Sequence, residues 1–287
     1  KNGKITANIL MIDNDKYINK LKKLFSVIKK HGSIPSIQLV HAGRQTSKTI
    51  IGSQPVAPSA IACPVMKETP KELSKQEIKE IIKLFGEAAE RAKKAGAEII
   101  EIHAAHGYLI SEFLSPYSNK RTDEYSGNTE NRTRFLKEVR GKVGEDYPIC
   151  CRISAIEFVE GGLTIEESKK IAKIVVDCGV DLISVSVGVY ESMDKICPKK
   201  EDGKVVYAKI AREIKKVVNI PVICVGNILN LNDAEKILKN GDADLVAIGR
   251  GLIADPYLVT KTKQGKIKEI NWCKQDRKCI YWTTDEP

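Results

Sequence analysis

The chain of 287 residues exceeds the usual length of one domain, but α/β barrels of this length fold around a single core, so we expect one large core. An apolar fraction of 42% and a charged fraction of 29% are typical of a soluble globular protein, and no apolar run approaches the roughly 20 residues that cross a bilayer, which excludes a membrane-spanning protein. The net charge of +10 favours anionic ligands, but no aromatic residues interleave with the lysines as nucleic-acid binding would require.

Short apolar and β-branched runs alternate with segments of helical periodicity along the chain. The runs predict six strands, at 33–39, 97–103, 147–154, 181–188, 220–226 and 243–249. The periodic segments predict helices near 15–30, 74–94, 129–143, 164–178, 205–218 and 231–240. Three capping patterns mark helix starts, namely Ser74 with Glu77, Thr164 with Glu167 and Asn232 with Glu235.

This alternation predicts a parallel sheet covered by helices, because the strands are apolar on both faces. A doubly wound sheet and a closed barrel both fit, and the short spacing of the last four strands favours a (β/α)8 TIM barrel. Only six strands are visible, and the first helix has no strand before it, so we expect the first one or two βα units to be missing from this chain. The predicted organisation is a barrel domain over 1–265 and a tail over 266–287.

Two connections are unusually long, at 40–73 and 104–128. Long ordered loops in a compact domain are usually functional, and the loops that follow barrel strands form the active-site face. We therefore expect the functional residues in these two segments.

Cysteine usage indicates a reducing compartment. Eight cysteines are present, and three of them lie inside apolar strand-like runs as small buried hydrophobes. With no signal peptide and no short disulfide scaffold, we expect a cytoplasmic protein.

His103 ends the second predicted strand, and His106 and Tyr108 follow it in the second long segment. A zinc site needs a third protein ligand, and the chain has only four histidines, so a metal site is disfavoured. The alternatives are a structural role, with each imidazole bonded to nearby backbone, and a pair of N–H donors that converge on one acceptor oxygen. Tyr108 adds a phenolic O–H that could deliver a proton.

Glycines at the ends of the last two strands predict a phosphate site. They lie in "VGNI" (225–228) and "IGRG" (248–251), and the loops after these two strands commonly hold a phosphate through backbone N–H groups. Arg152, at the end of a buried strand, needs an anion or a rich hydrogen-bond acceptor, and Gln38 at another strand end offers an amide donor and acceptor. A phosphate anchor, an arginine, an amide and a donor pair at one barrel mouth suit flavin mononucleotide.

The same segments resemble the signature of the Old Yellow Enzyme family of FMN-dependent oxidoreductases. The likeness extends from about residue 5 to 262, and its two-histidine form is similar to the branch of dienoyl-CoA and enoate reductases. The motifs that carry it are His103–x–x–His106–Gly107–Tyr108–Leu109, "EFLSPYSNKRTDEYSGNTENRTRF" (112–135), "QLVHAGR" (38–44), "PVAPSAI" (55–61), "GGLTIEES" (161–168) and "ADLVAIGRGLIADP" (243–256).

The resemblance implies which residues bind FMN. Gln38 would pair with the pyrimidine edge of the isoalloxazine, and Arg152 would stabilise negative charge near N1 and O2. The phosphate would be held by Gly226, Asn227, Gly249 and Arg250.

It also implies a ping-pong reaction in which NAD(P)H reduces FMN and is replaced by an enone, an enoate or an enoyl thioester. His103 and His106 would bind the substrate carbonyl oxygen, and Tyr108 would protonate Cα after hydride transfer to Cβ. A phosphate-binding lyase or isomerase and a degenerate, non-catalytic barrel fragment remain alternatives, and a homo-oligomer is possible.

The sequence departs from the family near its C-terminus. Larger relatives hold a [4Fe–4S] cluster there with several cysteines, whereas this chain retains Cys273 and Cys279, with Asp276 where a middle cysteine is expected. Two thiolates are too few to hold the cluster, so no iron–sulfur cluster is predicted.

Overall fold

Six parallel strands form the main sheet of the computed structural model, which describes residues 2–144, 147–203 and 205–279. The strands are β1 (Ser36–Leu39), β2 (Val56–Ala57), β3 (Lys71–Glu72), β4 (Ile99–Ala104), β5 (Ile149–Ser154), β6 (Leu182–Ser186), β7 (Val222–Cys224) and β8 (Leu245–Val246). The main sheet has the order β1-β4-β5-β6-β7-β8, and β2 and β3 form a separate parallel pair. Every predicted strand is confirmed.

The helices are α1 (Ile18–Lys30), α2 (Lys48–Ile51), α3 (Lys75–Ala95), α4 (Leu109–Leu114), α5 (Thr129–Val143), α6 (Ile165–Asp177), α7 (Met193–Ile196), α8 (Ala208–Lys215), α9 (Leu231–Lys239), α10 (Arg250–Ala254) and α11 (Leu258–Lys263). Short 3-10 turns lie at 15–17, 190–192, 200–202 and 267–269. All six predicted helices are present. The two long connections were expected to be loops, but they contain α2, β2, β3 and α4.

Side-chain caps explain where three of the helices begin. Ser74 forms the predicted reciprocal capping box with Glu77 at the start of α3, and the Thr164 hydroxyl accepts a hydrogen bond from the first turn of α6. The predicted cap at Asn232 is wrong. The N-cap of α9 is Asn230, whose Oδ1 accepts from the Asp233 N–H at 2.8 Å, because the sequence repeats the same polar spacing two residues earlier.

The prediction that the strands are apolar on both faces is wrong for the inner face of the sheet, because that face carries the polar side chains of the candidate site. The face toward the helices is apolar and forms the core, with Leu39, Ile100, Ile102, Cys151, Ile153, Ile183, Val185, Val222 and Cys224 all buried on it. The opposite face carries polar side chains at alternating positions, including Gln38, Glu101, His103, Arg152, Ser184 and Ser186. Because neighbouring parallel strands are in register, these polar side chains form one continuous inner face.

In the described part of the chain, β1 and β8 are the edges of this sheet. The predicted tail over 266–287 is described as far as Cys279, and the remainder of that prediction lies outside the described residues. None of the described helices is both long and apolar enough to cross a bilayer.

Candidate active site

The structure brings the two predicted histidines and Tyr108 together at the carboxyl end of β4. The His103 ring lies 4.9 Å from the His106 ring and 4.8 Å from the Tyr108 ring, measured between centroids, in edge-to-face geometry. Both histidines are buried, at 4% and 7% exposure, whereas Tyr108 is half-buried. The three side chains are therefore neighbours in the folded protein, as they are in the sequence.

Hydrogen bonds define how the two imidazoles are protonated. The Ala105 N–H donates to Nδ1 of His103 at 3.2 Å, so the proton of a neutral His103 sits on Nε2. That Nε2–H faces Nδ1 of His106 at 3.1 Å, and Nε2 of His106 donates to the Ser186 hydroxyl at 2.6 Å. Both N–H donors are therefore engaged within the protein, and a substrate oxygen that binds them must replace these bonds.

Both histidines are neutral at physiological pH. Burial, together with the nearby Arg152 guanidinium, lowers the pKa of His103 to about 3. Burial, Arg152 and His103 together lower the pKa of His106 well below its usual value. The pair can thus donate hydrogen bonds without adding positive charge to the cleft.

Tyr108 has a phenolic partner that sequence reasoning missed. Its hydroxyl lies 3.1 Å from the hydroxyl of Tyr190, which sits on the 3-10 turn after β6. Burial raises the pKa of Tyr108, while the bond to Tyr190 and the charge of Arg152 oppose that rise. Tyr108 is therefore protonated over the physiological range, as a proton donor must be.

Two buried side chains hold this loop in place. His106 has a left-handed φ of 59°, its N–H donates to the Ser154 hydroxyl at 2.8 Å, and its carbonyl accepts from Gln45 Nε2 at 2.7 Å. Gln45 also accepts from the Tyr190 N–H at 3.3 Å, which joins the two tyrosine-bearing segments. At Gly107, φ is 75° and a Cβ would lie 2.5 Å from Gln45 Oε1, so only glycine fits beside the Gln45 side chain.

Gln38 and Arg152 lie on the inner face that leads to the histidines. The Arg152 guanidinium donates to the Ser186 hydroxyl at 3.4 Å, and its buried Nε has no hydrogen-bond acceptor among the described residues. A half-buried guanidinium with an unused donor fits an anionic or electron-rich ring edge. These residues therefore fit the pyrimidine end of FMN, the role that the family resemblance implies for them.

The four predicted phosphate residues lie at the ends of β7 and β8. Arg250 Nη2 donates to Asn227 Oδ1 at 3.0 Å, Gly249 directly precedes Arg250 at the start of α10, and Gly226 directly precedes Asn227. Gly226 has φ of 127°, which a side chain rarely adopts. The glycines and the Arg250 guanidinium are residue types that suit a phosphate group, and Arg250 also donates to the Pro198 carbonyl at 2.8 Å. Asn227 in turn accepts from Gln275, a contact that the sequence did not predict.

A buried ionic cluster lies at α4 and was not predicted from the sequence. Arg44 Nη2 forms an ion pair with Glu191 Oε1 at 2.8 Å, and the Arg44 N–H donates to Glu112 Oε1 at 2.7 Å. Glu112 Oε2 has no hydrogen-bond partner among the described residues. Burial raises the pKa of Glu112 to about 8, because Arg44 only partly offsets the loss of solvent. Glu112 is therefore largely protonated at neutral pH.

This protonation predicts how stability depends on pH. The pKa of Glu112 is about 8 when folded and near 4.5 as its ordinary value, so its contribution is present below pH 4.5 and is lost as the pH rises toward 8. Over that window, the free energy of unfolding should fall by up to about 1.4 kcal/mol per pH unit from this group. Urea denaturation of Glu112→Gln from pH 5 to 9 should show a flatter dependence.

The control for this measurement is Glu80→Gln, which removes a carboxylate from the exposed surface of α3. It should leave the pH dependence unchanged. An equal slope for the wild type and Glu112→Gln would contradict the assignment of a protonated Glu112.

Among the described residues, no group of three or more His, Cys, Asp or Glu side chains is placed to hold a metal ion. The described thiols are all free. Cys273 and Cys279 lie on the segment that carries Gln275.

Comparison with known proteins identifies the family. The model of the NADH:flavin oxidoreductase / NADH oxidase family matches residues 1–269. The chain belongs to this family. It is 49% identical over 278 residues to NADH oxidase of Thermoanaerobacter brockii, covering 94% of this chain and 42% of that protein. It is 46% identical over 276 residues to NADPH dehydrogenase of Clostridium acetobutylicum, covering 94% of this chain and 78% of that protein.

Solved structures of this flavin oxidoreductase family share its fold. A complex of 2-naphthoyl-CoA reductase with 2-naphthoyl-CoA has a TM-score of 0.92 and 31% identity, over 98% of this chain and 46% of that one. Morphinone reductase in complex with tetrahydroNAD has a TM-score of 0.74 and 26% identity, covering 88% of this chain and 71% of that one. The chain thus spans less than half the length of some relatives. The comparisons confirm the predicted family, the TIM-barrel fold, the oxidoreductase class and the cofactor FMN.

Proposed function

We propose that this chain is the FMN-binding barrel of an NAD(P)H-dependent enzyme that reduces the activated C=C bond of α,β-unsaturated carbonyl compounds. The observation that carries this proposal is the convergence of two neutral histidines, one phenol and an incompletely bonded arginine at one edge of the sheet. A lyase or isomerase would have little use for the arginine and amide on the inner face below the histidines.

The cofactor would lie along the inner face from Gln38 and Arg152 to the phosphate residues at the ends of β7 and β8. When bound, FMN supplies the hydride chemistry, and the protein supplies binding and orientation. Gln38 would hold the pyrimidine edge through its amide, and Arg152 would stabilise negative charge at that edge. Gly226, Asn227, Gly249 and Arg250 would hold the phosphate.

The substrate carbonyl would bind at the histidine pair. His103 and His106 would donate N–H bonds to the oxygen, which withdraws electrons from the conjugated C=C bond. This requires the His103–His106 hydrogen bond of 3.1 Å and the His106–Ser186 hydrogen bond of 2.6 Å to be exchanged for bonds to the substrate, at a cost of about 1 kcal/mol each. Tyr108 would then deliver its proton to Cα from a hydroxyl that Tyr190 holds in place at 3.1 Å.

The test begins with the visible spectrum of the purified full-length gene product. A flavin spectrum that NADH or NADPH bleaches under anaerobic conditions, and that 2-cyclohexen-1-one then restores, is the expected result. A colourless protein would support the lyase or isomerase alternative, and a flavoprotein that the enone fails to reoxidise would overturn the proposed alkene reduction.

A further inference from the structure

Glu101 has no role in the site as described so far, yet it lies at its centre. It is a half-buried carboxylate on the inner face of β4, two residues before His103. In the parallel register its backbone neighbours are Gln38 on β1 and Cys150 on β5. A charged group on the inward side of a barrel strand loses hydration, so its partners identify what it does there.

The first partner is the Gln38 amide. Gln38 Nε2 donates to Glu101 Oε1 at 2.8 Å. An ionised carboxylate has no proton to donate, so the NH2 end of the amide, and not its oxygen, must face Glu101. This leaves Gln38 Oε1, an acceptor, for a ligand in the cleft. The contact thus selects one of the two amide orientations before any ligand binds.

The second partner is the Arg152 guanidinium. Arg152 lies across the β4–β5 register from His103, so it is the diagonal neighbour of Glu101 on the same face. Burial lowers the pKa of Arg152, and the charge of Glu101 is the largest influence that opposes this. Arg152 donates to the Ser186 hydroxyl at 3.4 Å, and its Nε has no hydrogen-bond partner among the described residues. Glu101 therefore partly balances the charge of Arg152 without occupying its donors.

We propose that Glu101 is a positioning residue of the flavin site, which fixes the acceptor end of the Gln38 amide toward the ring and moderates the positive field of Arg152. This inference rests on the proposed function, because it needs FMN on the inner face. A ligand edge with an N–H donor beside electron-rich carbonyls matches the acceptor of Gln38 and the donors of Arg152.

Two substitutions separate orientation from charge. Glu101→Gln removes the charge and allows the Gln38 amide to turn over. Its Kd for FMN should rise about fivefold, the equivalent of one neutral hydrogen bond. With less negative charge near Arg152, the midpoint potential of the FMN bound to this variant should become less negative. A tenfold change in the two-electron reduction equilibrium corresponds to about 30 mV. Glu101→Asp keeps the charge but shortens the reach, so the affinity should fall while the potential stays at the wild-type value.

The matched control is Glu98→Gln, which removes the same charge from a residue that pairs with Lys29 on the surface at 2.6 Å. Flavin fluorescence titration gives the Kd, and reduction alongside a redox dye gives the potential. Wild-type affinity and potential in Glu101→Gln would overturn the inference. If Glu101→Gln does not fold, a wild-type affinity of Glu101→Asp for FMN would overturn the inference. A wild-type protein that binds no FMN would instead overturn the proposed function.

Discussion

Replacing Tyr108 by phenylalanine should slow the reduction of an enone by about 10²–10⁴-fold, the usual contribution of a positioned general acid. The reduction of the flavin by NAD(P)H should change little, because that half-reaction transfers a hydride and needs no proton from the phenol. Stopped-flow measurement of each half-reaction separates the two effects. The fold should survive, since Tyr108 is half-buried and its hydroxyl contacts only Tyr190 among the described residues.

The matched control is Tyr147→Phe. Tyr147 lies just before β5, at the opposite end of the sheet from the histidine loop, and Lys93 lies over its ring at 5.1 Å. Both half-reactions should keep wild-type rates in this variant. An equal loss in the two half-reactions of Tyr108→Phe would count against Tyr108 as the proton donor.

Gly226→Ala should disrupt the phosphate end of the site and lower the free energy of unfolding by about 2–5 kcal/mol. Gly226 has φ of 127°, and a Cβ there would lie 2.3 Å from Tyr207 Cδ2. The Tyr207 ring cannot move freely, because its hydroxyl donates to the Lys195 carbonyl. The variant should therefore be isolated largely without flavin. The flavin-to-protein ratio and urea denaturation measure the two effects.

Gly141→Ala is the control for that experiment. Gly141 lies on the exposed side of α5, where a Cβ would meet no atom within 4 Å. Alanine there should stabilise the helix by up to about 1 kcal/mol and leave flavin content unchanged. Trimming the obstructing ring, in Gly226→Ala with Tyr207→Ala, should restore part of the flavin content. Wild-type flavin content and stability in Gly226→Ala alone would contradict the steric argument.

Short apolar and β-branched runs predicted the strands, and helical periodicity predicted the longer helices, because burial imposes both patterns directly. A strand covered by helices must be apolar on the face toward them, and each helix must present an apolar stripe to the sheet. The sequence did not predict the short elements α2, β2, β3 and α4, because two to six residues carry too little periodic signal. The misplaced cap at α9 has a related cause, since Asn230 and Asn232 offer the same local pattern and only packing selects between them.

For the site, the sequence by itself determined that His103, His106 and Tyr108 lie together at the end of one strand, and that Gln38 and Arg152 belong to other strands of the same barrel. Only the tertiary structure decided how they are used. The bonds that set the imidazole protons, hold the loop and orient the amide join His106 to Ser186, Gln45 to His106 and Gln38 to Glu101. These partners are 80, 61 and 63 residues apart in the chain, so no local pattern relates them. They meet because parallel strands in register bring their carboxyl ends to one edge of the sheet.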